Sequence, residues 1–159
     1  MKIVENLDDF EAPKYSVVTS GTFVGVHVGH QKILRKIVQR AQSRGGKSIV
    51  LTFWPHPRFV LKKDADALRL LTTFEEKAQL LEENGIDYLV KIPFTKAFSE
   101  LSSDQFIREI LVDKLNTQLL VIGYDHRFGK NREGGFDYLK EHSSEYGFQI
   151  EEISRQDIE

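Results

Sequence analysis

The stretch from Ser20 to His30, SGTFVGVHVGH, sets His27 and His30 three residues apart among Gly21, Gly25 and Gly29. On a helix that spacing puts both imidazoles on neighbouring positions of one face. At a helix start the unpaired backbone N–H groups and the dipole favour an anion, and glycines let the backbone turn tightly and approach it. A phosphate is the natural occupant. Imidazoles there can donate to non-bridging phosphoryl oxygens, stabilising the charge that builds when an entering and a leaving oxygen lie in line across phosphorus. This chemistry needs positioning and no covalent nucleophile. The plainer alternative is that the two histidines cap and pack a helix start. A zinc site would need a third ligand, which no H-E-x-x-H pattern or neighbouring acid supplies, so no metal ligand is assigned. Neither G-x-G-x-x-G nor G-x-x-x-x-G-K-[ST] occurs, so the phosphate donors would be imidazoles and not a lysine.

Such a pair must be held at the end of a strand, and hydrophobic periodicity provides one. SVVTS (16–20) is a β-branched run ended by Gly21, and KSIVLTFW (47–54) is a second, ended by Pro55. Between them Ile33, Leu34, Ile37, Val38 and Ala41 recur at helical spacing, with Lys32, Arg35, Lys36, Gln39 and Arg40 on the other side and Gly45–Gly46 as the stop. Thr73 and Glu76 fit a capping box opening the helix FEEKAQLLEEN, closed by Gly85 before the strand IDYLVKI (86–92). Ser102 and Gln105 repeat the device before the helix FIREILVDKL, and the strand TQLLVIG (117–123) follows. A helix from Phe136 to Tyr146 and the alternating FQIEEI (148–153), a more exposed edge strand, complete the pattern. Strands alternating with helices predict an α/β fold, a parallel sheet with right-handed crossovers and helices on both faces. Ligands of such sheets sit at the carboxyl ends of the strands.

The segments that follow the strands carry the chemistry. They hold four of the five histidines and three of the four prolines, in GTFVGVHVGH, PHPRF, PFTKAF and YDHRFGKNREGG. Arg127, Lys130 and Arg132 read equally as phosphate contacts or as a solvated basic edge. Phe94, Phe98 and Phe128 read as core or rim packing ahead of stacking on a ligand ring, and His142 as surface. Composition narrows the partners. A chain of 159 residues, 40% hydrophobic and 29% charged, suits one compact domain, and its formal net charge of −2 argues against a nucleic-acid partner. The absence of cysteine excludes disulfides and thiolate metal sites. No window approaches the run of about 18 apolar residues that a membrane span requires, so the sequence reads as cytoplasmic.

TFVGVHVGH resembles the T-F-D-G-V-H-x-G-H motif of bacterial FAD synthetases, the adenylyltransferase module of bifunctional riboflavin kinase/FMN adenylyltransferases. The likeness continues through LTFWPHPRFVL, LLTTFEEKAQLLEENGIDYLVKIPFTKAFSELSSDQFI and LVIGYDHRFGKNREGG, from about Ser16 to Ile153. The resemblance implies a Rossmann-like nucleotidyltransferase fold and the reaction of FMN with ATP, with Mg²⁺, to give FAD and pyrophosphate. It implies that His27 and His30 contact the ATP phosphates and that Gly21, Thr22, Phe23 and Gly29 form the surrounding ATP-binding loop. Pro55, His56 and Pro57 match the P-H-P loop beside the flavin, with Arg58 and Phe59 next to it. Asp125 matches a polar position at the nucleotide and flavin phosphates.

The sequence departs from the family in two places. Val24 stands where the family has Asp, and Ser20 stands where an apolar residue is common. The chain also ends at ISRQDIE, before the family's I-S-S-T-x-I-R element and kinase barrel. The expectation is therefore a single adenylyltransferase domain over 1–159, shortened at its C-terminus and without a riboflavin kinase domain. Two alternatives remain: a nucleotide- or flavin-binding domain without turnover, and a nucleotidyltransferase for another phosphate ester. A carboxylate at position 24 can hold loop N–H groups or help to place a metal, and a β-branched apolar side chain can do neither. Val24→Asp, in a longer chain carrying the I-S-S-T-x-I-R element, is expected to raise the rate of FAD formation with stability changed by under about 1 kcal/mol. An unchanged rate in a pyrophosphate-release assay would show that Val24 is a neutral variation.

Overall fold

The computed structural model describes residues 1–20, 28–54, 74–93, 95–123 and 136–153, with the backbone alone for residues 28–30, 54, 74 and 136. Six strands make one sheet: β1 (Lys2–Val4), β2 (Ser16–Ser20), β3 (Lys47–Trp54), β4 (Tyr88–Pro93), β5 (Thr117–Gly123) and β6 (Gln149–Ile153). Their spatial order is β1-β4-β3-β2-β5-β6, and every pair is parallel. The chain therefore returns between strands on the faces of the sheet. Helices α1 (Val28–Ser43) and α2 (Phe74–Glu83) lie on one face. There Ile33, Leu34, Ile37, Ala41, Ala78 and Leu81 pack on Val17, Val50, Leu89, Leu119 and Val121. The short helix α3 (Lys96–Ser99) leads to α4 (Ser103–Phe106), which runs on as a π-helix over Ile107–Lys114, and α5 (Phe136–Tyr146) follows β5. Residues of these last three segments cover the opposite face, packing on Val18, Ile49, Leu51, Leu120 and Ile122. Burial on both faces is the condition parallel sheets require.

The expected strands at 16–20, 47–54 and 117–123 and the helix at 136–146 have those bounds. The strand expected at 86–92 occupies Tyr88–Pro93, and β6 starts one residue late. Two features differ more. The short β1 extends the sheet beyond β4, Lys2 opposite Tyr88 and Val4 opposite Val90. The second is the π-helix, in which Leu115 N–H donates to the Ile110 carbonyl five residues back at 3.0 Å. Ile107, Leu111 and Leu115 are all fully buried. Their eight-residue span exceeds the roughly 7.2 residues of two α-helical turns, so the wider turn keeps all three against the sheet.

The ends of the helices follow local chemistry. The Ser102–Gln105 capping box forms, with both reciprocal hydrogen bonds present. Thr73, proposed to cap α2, lies outside the described residues. Gly45 (φ +65°) closes α1, with Gly46 N–H donating to the Ala41 carbonyl at 2.8 Å, and Gly85 (φ +87°) closes α2 in the same way, with Ile86 N–H donating to Leu81 at 3.2 Å. Glu151 ties the β6 edge to α1. Its carboxylate accepts from Arg40 Nε at 2.9 Å and Nη2 at 3.1 Å and lies 3.2 Å from Lys36 Nζ; Arg40 chiefly holds it below the usual carboxylate range. No helix among the described residues is long and apolar enough to cross a membrane.

A methyl group at Gly46 would collide with the Tyr15 carbonyl oxygen and lie 2.8 Å from its ring. Gly46→Ala is therefore expected to lower stability by about 1–3 kcal/mol, as overpacking does, measured by urea unfolding. A variant as stable as the parent would show that Tyr15 yields instead.

Candidate active site

The strand order creates one place where the chain diverges. From β2 it goes through α1 to β3 on one side; β5, reached from β4 across the opposite face, is the neighbour on the other side. The carboxyl ends of β2 and β5 thus flank a topological switch point, the usual ligand crevice of open α/β sheets. Ser20 ends β2 and Gly123 ends β5. Trp54 ends β3, next to β2. The segments beginning at residues 21, 55 and 124 leave the sheet from this one rim, and they carry most of the residues singled out from the sequence.

Gly21, Thr22, Phe23, Val24, His27, Pro55, His56, Pro57, Arg58, Phe59 and Asp125 lie outside the described residues, as do Phe94, Arg127, Phe128, Lys130 and Arg132. Gly29 and His30 fall in the first turn of α1, where the expectation put them. That turn has no acidic residue, whereas α2 carries Glu75 and Glu76, α4 carries Asp104 and α5 carries Asp137 in theirs. Those carboxylates offset their own helix dipoles. The dipole of α1 has no such neighbour in its first turn, which suits it to an external anion.

Three side chains here were not picked out as functional from the sequence. Ser20 is buried at the end of β2, and its Oγ has no hydrogen-bond partner among the described residues. Thr52, two residues before the end of β3, is fully buried on the face covered by α1 and α2. It accepts a hydrogen bond from Lys77 Nζ at 3.0 Å. Lys77 sits one turn into α2 and is only 2% exposed. Burial pulls its ammonium down from 10.5 to about 8. A signal existed: Lys77 lies three residues after Phe74 and four before Leu81, on the apolar stripe of the helix.

Other groups have structural roles. Phe98 packs 5.5 Å from Phe53 and 6.1 Å from Phe106, the latter edge-on, so it is rim packing. Tyr146 donates to Asp104 Oδ1 at 2.8 Å and joins α5 to α4. His142 is partly exposed, 3.5 Å from Glu145. At the opposite rim a cleft of about 530 Å³ is lined by Tyr15, Arg40, Arg44, Ser143, Phe148 and Gln149, among others. The C-terminal ends of α1 and α5 border it, and their dipoles disfavour a polyphosphate there. Among the described residues no group of three or more His, Asp or Glu side chains is placed to hold a metal ion.

The model of the family described as FAD synthetase matches residues 9–159. A bifunctional riboflavin kinase/FMN adenylyltransferase of Buchnera aphidicola subsp. Schizaphis graminum is 35% identical over 155 residues, covering 97% of this chain and 49% of that protein. The protein of the same description from Escherichia coli K12 is 36% identical over 152 residues, 94% of this chain and 48% of its own length. The chain thus spans about half the length of these curated relatives. Among solved structures, a Streptococcus pneumoniae chain described as a macrolide-efflux protein superposes with a TM-score of 0.79 at 25% identity, covering 96% of this chain and 49% of that one. A Thermus thermophilus pantothenate synthetase superposes with a TM-score of 0.56 at 15% identity, covering 97% and 61%, a likeness of fold.

Lys77 predicts a pH dependence. Its folded-state pKa is lowered, so the unfolded chain binds the proton more tightly and the burden of the buried charge is fully present below about pH 8. Between pH 8 and 10 the native state loses the proton first, and stability is expected to rise with pH by this contribution. Thermal unfolding across that window checks it: Lys77→Met should remove the rise, and an identical slope in parent and variant would contradict the assignment.

Proposed function

The chain belongs to the FAD synthetase family, and we propose on that footing that it transfers an adenylyl group from ATP to FMN. A phosphate oxygen of FMN attacks the α-phosphorus of ATP, the bond to the β-phosphate bridging oxygen breaks, and FAD and pyrophosphate leave. The observation that carries the reading is the convergence, at the carboxyl ends of β2, β3 and β5, of the three segments whose residues resemble the family motifs.

In this reading His27 and His30 donate to the ATP phosphates at the head of α1, and Gly21, Thr22, Phe23 and Gly29 let the triphosphate approach the backbone. Asp125 serves the phosphates from the β5 side. Pro55, His56, Pro57, Arg58 and Phe59 serve the flavin from β3. The arrangement separates the substrates: the nucleotide lies over the switch point and the flavin over the next strand. Mg²⁺ would enter with ATP, bound mainly through phosphate oxygens and water, as that ion commonly is. The proposed setting is the cytoplasm, with FMN supplied by a riboflavin kinase activity like that in the names of the relatives. Val24 favours one second reading, a domain that binds nucleotide and flavin without turnover, because it replaces the carboxylate of the resembling loop.

Calorimetric titration with ATP and with FMN, beside a pyrophosphate-release assay with Mg²⁺, separates these readings. Release with FMN as acceptor supports transfer, binding without release supports the second reading, and failure to bind FMN overturns both. His27→Ala and His30→Ala are each expected to lower turnover by roughly 10²–10³, the usual loss for one preorganised charge-stabilising donor. Melting temperature should change little. Full turnover in both variants would remove the phosphate role, and loss of folding in both would favour helix capping.

A further inference from the structure

Resting on the adenylyl-transfer reading, we infer that Lys77 is a positioning residue for the flavin half of the site, clasping with Thr52 the two points where the chain leaves β3 and enters α2. The sequence between those points, 55–73, contains the P-H-P residues. Thr52 stands three residues before Pro55 and two before the end of β3, and Lys77 stands four residues after Thr73. Their 3.0 Å hydrogen bond joins the strand to the helix on the face covered by α1 and α2.

Packing alone does not account for a lysine there. Its neighbours along the same stripe, Ala78 and Leu81, are buried and apolar, and a methionine or leucine would continue the stripe without desolvating an ammonium. The position is also in the first turn of α2, where the dipole disfavours a cation. Two costs are thus incurred at one residue. An ammonium provides what a methyl group cannot, a directional bond to a hydroxyl on the strand, and the Thr52 hydroxyl accepts one from it. A pKa of about 8 leaves that ammonium mainly protonated at neutral pH.

The register of β3 limits what the clasp controls. Thr52, Phe53 and Trp54 pair with Lys91, Ile92 and Pro93 of β4, so the strand end is fixed sideways by the sheet. The Lys77–Thr52 bond adds a directional tie to the helix packed on it. The nucleotide half hangs from β2, α1 and β5 and includes neither partner of the clasp. Loosening the clasp should therefore reach the flavin and spare ATP.

The test uses Lys77→Met, Thr52→Val and the double variant, with dissociation constants for FMN by fluorescence quenching and for ATP by calorimetry, pyrophosphate release, and thermal unfolding. The expected result is a 10- to 100-fold weaker affinity for FMN in Lys77→Met, the scale of a misplacement of about 1 Å in a positioned group. ATP affinity should stay within about twofold, and melting temperature should not fall. Thr52→Val should move FMN affinity in the same direction, and the double variant should be no worse than Lys77→Met, because the two act as one unit. Unchanged FMN affinity in a parent that binds FMN and releases pyrophosphate overturns the inference alone. Equal weakening of ATP and FMN with a lower melting temperature, or strictly additive losses in the double variant, overturns it too. If Lys77→Met does not fold, Thr52→Val, which keeps the size and shape of the strand residue, decides by the same criteria. A parent that neither binds FMN nor releases pyrophosphate overturns the adenylyl-transfer reading, and the inference with it.

Discussion

The pairing of β2 with β5 is the contact on which the rest of the structure depends. The two strands are far apart in sequence, yet Val17 faces Leu119 and Val18 faces Leu120, all but Leu119 without solvent exposure. Because β2 also pairs with β3, the chain must leave it in one direction and later arrive beside it from the other, which puts the connecting helices on opposite faces. The chain thus leaves β2 and β5 toward opposite sides of the sheet, the arrangement at whose carboxyl strand ends open α/β sheets commonly take their ligands. The irregularity in the pairing falls at the other end, between Ser16 and Val17. There Ser16 Oγ and Thr117 Oγ1 are buried and lack hydrogen-bond partners among the described residues. Imperfect pairing is thus kept away from the rim where the motifs lie.

Charge is distributed along that rim in a way the helices explain. Helices α2, α4 and α5 carry their own carboxylates in the first turn, Glu75 and Glu76, Asp104 and Asp137, each worth a few tenths to about 1 kcal/mol, and the four-residue α3 carries none. The start of α1 lacks one, and a carboxylate there would repel the triphosphate proposed to sit on it. Lys77 is the converse case, a cation kept at a helix start and under cover, which makes sense if the charge serves the geometry around it.

Much of the fold was legible because its signals are local. SVVTS and KSIVLTFW are β-branched runs ended by Gly21 and Pro55, and TQLLVIG is a third apolar run, so their bounds could be read directly. Ser102 with Gln105, and Gly45 and Gly85 with positive φ, mark helix ends by chemistry that acts within a few residues. What stayed hidden depends on distant partners. KIV at the N-terminus becomes a strand only because Tyr88–Val90 offers it an edge, and three residues alone hold no period. The π-helix arises from the demand to bury Ile107, Leu111 and Leu115 together. At the site, the motif residues were legible through resemblance, and the structure adds that the strands preceding them end on one rim and that Gly29 and His30 stand in the first turn of α1. Lys77 and Thr52 belong to no motif, and what they do is visible only when β3 and α2 are side by side.

Lys77 and Thr52 differ from the rest of the face they lie on. Ala78 and Leu81 of α2 meet Val50 and Leu89 of the sheet by apolar contact, which is strong in sum but has no direction and tolerates small displacements of the helix along the strands. An ammonium donating to a hydroxyl at 3.0 Å does have a direction, so it fixes where the start of α2 stands relative to the carboxyl end of β3. The cost of keeping a charge under cover is reasonable at a place where position matters more than stability, and this bond lies at the end of the strand and the start of the helix that bound the proposed flavin residues in sequence.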